Sequence, residues 1–98
     1  MNRVEIAKDV LDSCVSKAIN FGFTPVVHND MHVTYQYDEP HITCVAHHNL
    51  FTNVWDVCAY EKDNPEHYDC ILVAQPTGVD LPAFVNAFKT KRKKTYDA

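Results

Sequence analysis

Ninety-eight residues, 46% of them hydrophobic and 22% charged, describe one ordinary globular domain with a net charge of −4. A chain of this size buries about 60–65% of its unfolded surface, enough for a real core of modest stability. No window of ~18 apolar residues offers a membrane span. With only Gly22 and Gly78 as glycines, there is no phosphate-cradling loop and no dinucleotide fingerprint.

Residues 2–20 carry a helical period. Val4, Ala7, Leu11, Cys14, Val15, Ala18 and Ile19 share one stripe, and Glu5, Lys8, Asp9, Asp12, Ser16 and Lys17 fall mostly opposite. Lys8, Asp9 and Asp12 also break any apolar run that a secretion signal would need. Gly22 is placed to end the helix, and Pro25 forbids its continuation. A short strand at Val26-Val27 and a turn at Asn29-Asp30 follow.

Met31, Val33, Tyr35 and Tyr37 then alternate with His32, Thr34 and Gln36, which predicts a strand with one buried and one wet face. Asp38-Glu39-Pro40 breaks it. Residues 41–48 alternate again, with Ile42, Cys44 and Ala46 in one row and His41, Thr43, Val45 and His47 in the other. Residues 51–60 predict a fourth strand with bulk on both rows. Asp63-Asn64-Pro65 sits in a polar loop. The unbroken apolar run Cys70-Ile71-Leu72-Val73-Ala74 predicts a central strand, ended by Pro76-Thr77-Gly78. Asp80 is placed to cap a last helix, Pro82 fits its first turn, and Leu81, Phe84, Val85 and Phe88 form its apolar stripe. Residues 89–98 read as a basic tail or the solvated end of that helix, and are the only stretch resembling disorder.

The predicted fold is therefore α+β. An N-terminal helix, an antiparallel meander of four to five strands and a C-terminal helix form one domain over residues 1–88. An exposed edge strand or aromatic face in such a fold would close a two-fold homodimer. Each of Cys14, Cys44, Cys58 and Cys70 lies in an apolar stretch, so free buried thiols and a cytoplasmic location are expected.

Charge is unevenly spread. Residues 1–29 sum to zero, residues 30–80 to −8, and residues 81–98 to +4. An acidic sheet steers toward basic partners and away from nucleic acid. The leading expectation is a non-enzymatic binding module whose acids Asp38, Glu39, Asp56, Glu61, Asp63, Glu66 and Asp69 engage a basic site on a partner protein. Solubility alone is the plainer account of the same acids. The alternative is nucleic-acid binding through Lys89, Lys91, Arg92, Lys93 and Lys94, against which stands a solvated helix end whose cations suit the dipole.

His41, Cys44, His47 and His48 crowd one strand, but alternation sends His41 and His47 to one face and Cys44 and His48 to the other. No paired-ligand spacing supports zinc, so no metal or cofactor is expected. A cysteine nucleophile would need an exposed thiol beside a base and an oxyanion hole, and no glycine-rich turn supplies one. The acids at 56–69 lack the mid-loop glycine of a calcium loop.

The helix–strands–helix order is similar to that of double-stranded-RNA-binding domains. Those have three strands and a basic loop where this chain is acidic. It is also similar to the acidic secretion chaperones, whose chains are longer and carry a helix between strands. Size, acidity and the absence of catalytic motifs resemble the small phage-encoded inhibitors of host defence. That likeness of class, with no motif behind it, implies inhibition by occupancy.

Overall fold

The computed structural model describes residues 3–73 and 79–97, with side chains described for 11–73 and 79–91. The order is α1 (Arg3–Phe21), β1 (Thr24–His28), β2 (His32–Asp38), β3 (Ile42–Asn49), β4 (Trp55–Glu61), β5 (Tyr68–Val73) and α2 (Leu81–Asp97). The five strands form one antiparallel meander in sequence order. This is the expected α+β architecture, and the short connections explain it, since three to six residues can only return a strand beside its predecessor.

α1 ends where Gly22 takes a φ of 130°, which only glycine adopts freely, and Phe23 N donates to Ala18 O (2.9 Å). The Gly22 backbone lies close under the Tyr37 ring; a Cβ there would sit 3.1 Å from Tyr37 Cε1. At the other end, Asp80 Oδ1 accepts from Ala83 N (3.1 Å), the expected cap of α2. Among the described residues, no helix is long and apolar enough to cross a membrane.

Both helices lie on one face of the sheet. The core between them gathers Ala18, Phe23, Val33, Tyr35, Ile42, Cys44, Ala46, Trp55, Val57, Ala59, Val79, Leu81, Val85 and Phe88. Trp55 anchors it, stacked on His48 at 4.2 Å and on Tyr35 at 5.9 Å between ring centroids.

Four expectations need correction. Residues 51–54 do not begin β4. Asn49 O accepts from Asn53 N (2.9 Å), and Asn53 takes a φ of 57°, so the chain turns and Phe51 stays 74% exposed. Met31 belongs to the β1–β2 turn rather than to the buried row. β5 is an edge strand and not a central one: its burial alternates between exposed and half-buried. Finally, Cys58 and Cys70 are joined by a disulfide, leaving Cys14 and Cys44 free. The strand end expected at Pro76-Thr77-Gly78 lies outside the described residues.

Candidate functional site

Because successive side chains alternate, the strands that bury one row toward the helices turn the other row outward. The register sets that outer row in ranks across the sheet. Thr34, His47, Asp56 and Leu72 stand side by side on β2 to β5, then Gln36, Val45, Cys58 and Cys70, then Asp38, Thr43, Tyr60 and Tyr68. Among the described residues, no helix covers these ranks. The five strands contain no lysine or arginine.

Short polar bonds hold the open face in place. Thr34 Oγ1 and His47 Nδ1 share a hydrogen bond of 2.8 Å, and the His32 ring stands edge-on to His47 at 6.5 Å. Asp38 accepts from Thr43 Oγ1 (2.5 Å) and from Gln36 Nε2 (2.8 Å), with Lys62 Nζ 3.2 Å away. The Thr43 hydroxyl, followed by Gln36 and Lys62, holds the Asp38 carboxyl below its ordinary range against partial burial. A shallow depression of about 450 Å³ opens beside Asp56, lined by His32, His47, Asn49, Thr52, Val54 and Leu72. Leu72 is 70% exposed and Tyr68 66% exposed at its β5 margin.

The loops at the His32 end form a preorganised apolar tip. Asn29 Oδ1 accepts from Met31 N (2.8 Å) and His32 N (3.0 Å), and Asn49 Oδ1 accepts from Phe51 N (2.9 Å) and Thr52 N (3.0 Å). Leu50 N donates to Met31 O (2.8 Å), tying the two loops together. Met31, Leu50 and Phe51 are all exposed there.

The seven acids expected at a partner contact do not share one surface. Asp38 and Asp56 are on the open face, and Asp63 and Glu66 stand exposed in the β4–β5 loop, where Asp63 Oδ2 lies 3.1 Å from His41 Nδ1. Glu39, Glu61 and Asp69 turn the other way. Glu39 Oε2 accepts from the Tyr37 hydroxyl (2.6 Å) and from Lys89 Nζ (2.9 Å). Asp69 Oδ2 accepts from Lys91 Nζ (2.6 Å). Glu61 is 1% exposed, with His67 Nδ1 at 3.7 Å from its carboxylate. Together with Glu66, Tyr68 and Phe88, the last group lines a second depression of about 270 Å³ on the helix side.

The basic segment is likewise not a separate tail. α2 continues through it to Asp97, and its Lys89 and Lys91 fold back onto Glu39 and Asp69. The side chains of Arg92, Lys93 and Lys94 lie outside the described residues.

The histidine–cysteine cluster is divided by the sheet. Cys44 and His48 point into the core, His47 points out, and His41 sits in the β2–β3 turn. Among the described residues, no group of three or more histidine, cysteine or acidic side chains is placed to hold a metal ion. Burial pushes the Cys44 thiol up to about 12 and removes it as a nucleophile. Burial also lowers the His48 pKa, opposed by its bond from Nε2 to Asn53 Oδ1 (2.7 Å).

Sequence reasoning missed the Cys58–Cys70 pair on the open face. The signal for it was positional: both cysteines lie six residues from Asn64, so a hairpin centred there must set them opposite one another. Tyr60, Tyr68 and Leu72 were visible as bulk without an assigned face. No protein-family model matches the chain, no curated protein matches it, and no solved structure matches it. What the fold and the site define is an α+β domain with one helix-covered and one open sheet face.

Proposed function

We propose that this chain is a non-enzymatic protein-binding module whose open sheet face occupies a basic site on a partner protein, including a site that otherwise holds nucleic acid, and inhibits by occupancy. The observation that carries this is the segregation of charge across one sheet. The strands present Asp38 and Asp56 outward with no lysine or arginine among them. Meanwhile Lys89 and Lys91 are drawn to the covered side by Glu39 and Asp69. A surface that carries carboxylates, with Lys62 beside Asp38 as their counter-charge, and exposed Tyr68 and Leu72 combines long-range steering with apolar anchorage.

The contact acids are Asp38, Asp56 and the exposed loop acids Asp63 and Glu66, although Glu66 also rims the helix-side depression; Glu39 and Asp69 are withdrawn because they bind Lys89 and Lys91, and Glu61 because it is buried. The withdrawal of Cys44 into the core supports a binding role over thiol catalysis.

The test compares the chain with a triple variant carrying Asp56→Lys, Asp63→Lys and Glu66→Lys. Immobilised wild-type protein should retain a specific protein from nuclease-treated lysate and release it at moderate salt. The variant should bind that protein with an association rate at least tenfold slower and with little salt dependence. An association rate equal to wild type at low salt would sink the proposal.

A further inference from the structure

The two edges of the sheet are built differently. β1 carries Pro25, which has no N–H to offer, and a register shift between Pro25 and Val27. Proline and bulges are the devices by which edge strands resist pairing with another chain. β5 has neither. Its register with β4 runs unbroken from Tyr60↔Tyr68 to Trp55↔Val73. Its one charged residue, Asp69, is turned to the helix side and bound by Lys91.

Which backbone groups face outward from β5 follows from the ladder. Glu61 N donates to His67 O (3.1 Å), so that pair is hydrogen-bonded and the next, Tyr60 with Tyr68, is not. The alternation makes Cys58 with Cys70 a non-bonded pair, and its Cα separation of 4.2 Å agrees. The N–H and C=O groups of Tyr68, Cys70 and Leu72 therefore point away from β4. Among the described residues, no backbone hydrogen bond reaches them. The same three residues turn their side chains to the open face, where Tyr68 and Leu72 are among the most exposed apolar groups of the molecule.

Resting on the binding function proposed above, we infer that the partner adds an extended segment bearing lysine or arginine to the free edge of β5 as a sixth strand. Charge complementarity selects this occupant over a second copy. Two copies would each bring a net charge of −4, so like charge opposes their pairing. A basic segment meets the opposite sign instead. Asp56 stands beside Leu72 on β4, two strand spacings (roughly 10 Å) from the added backbone, within the joint reach of an arginine and an aspartate side chain. Glu66 is exposed two residues before Tyr68, at the start of β5. Backbone bonds to Tyr68, Cys70 and Leu72 supply affinity, and alternate side chains beside Tyr68 and Leu72 supply specificity.

The probe is a blocked eight-residue peptide of alternating lysine and valine, added to the full chain, with amide hydrogen exchange read residue by residue. Saturating peptide should slow exchange at Tyr68, Cys70 and Leu72 at least tenfold and leave β1 unchanged. Leu72→Pro removes only an outward N–H, so the β4 ladder is retained and affinity should fall about tenfold. The same peptide N-methylated on its β5-facing amides should not bind, which tests the edge without altering the protein. Equal binding of the methylated peptide, or protection at β1, would overturn the inference. So would protection of the same three amides by protein concentration alone, since that makes a second copy the occupant. Peptide binding that vanishes in the triple charge variant yet leaves the β5 amides unprotected refutes the edge and keeps the binding function. Equal edge binding by a glutamate–valine peptide refutes the basic partner in both.

Discussion

The two faces of this sheet are made from the same five strands and differ at every alternate residue. Cys44 and His48 are enclosed, while Val45 and His47 between them look outward. The covered face stacks Trp55, His48 and Tyr35 under two helices; the open face carries carboxylates, imidazoles and two linked cysteines. The packed core therefore lies on one side, and the recognition proposed above would use the other. Substitutions should divide accordingly.

The sharpest division is between Trp55 and Leu72, which belong to adjacent strands. Trp55→Ala empties the centre of the core and should cost ~3–5 kcal/mol in urea denaturation. Leu72→Ala removes a largely solvated side chain and should stay within about 0.5 kcal/mol. Similar losses for the two would mean that the open face is structural after all. Next in size is the Cys58–Cys70 link, which closes a loop across a sequence separation of 12. Reduction should lower stability by roughly 2–3 kcal/mol while the sheet is retained. Iodoacetamide should then label Cys58 and Cys70 but not the enclosed Cys44. Labelling of Cys44 under native conditions would show that the covered face opens.

Gly22 sets a smaller limit on the covered side. Its φ of 130° and the Tyr37 ring 3.1 Å from any added Cβ oppose a side chain twice over. Gly22→Ala should cost about 1–3 kcal/mol, read as a lowered thermal midpoint. A stabilised variant would show that the α1–β1 junction relaxes without loss.

Much of this division was legible in the sequence. The alternation of Val33, Tyr35 and Tyr37 with Thr34 and Gln36 separated the faces, and Leu81, Phe84, Val85 and Phe88 supplied a cover. The position of β5 was not legible, because an apolar run reads as buried whether the strand is central or at an edge. Leu72 is apolar yet exposed, which is why that run misleads. Phe51 and Asn53 continue the alternation of β4, but the turn at Asn49 overrides it. Charge was legible in amount and not in direction. Summing residues 30–80 cannot reveal that Glu39 and Asp69 meet Lys89 and Lys91 across the fold.

Acid separates the faces by where each loses stability. Burial holds the His48 pKa below the value of 6.5 that the unfolded chain would show. Over the interval between those two values the unfolded state binds more protons than the folded one, so stability falls as pH drops below about 6.5 and is flat above it. Asp38 on the open face is held below the ordinary 3.8 by Thr43, Gln36 and Lys62. Its contribution is complete above that value and is lost only as pH falls past it. His48→Gln cannot titrate and should flatten the stability profile just below about pH 6.5 while leaving the acid limb of the carboxylates in place. Asp38→Asn should do the reverse, and by less, because its carboxylate is partly screened by water. A profile whose near-neutral slope survives His48→Gln would place the titrating group outside the stacked pair of His48 and Trp55.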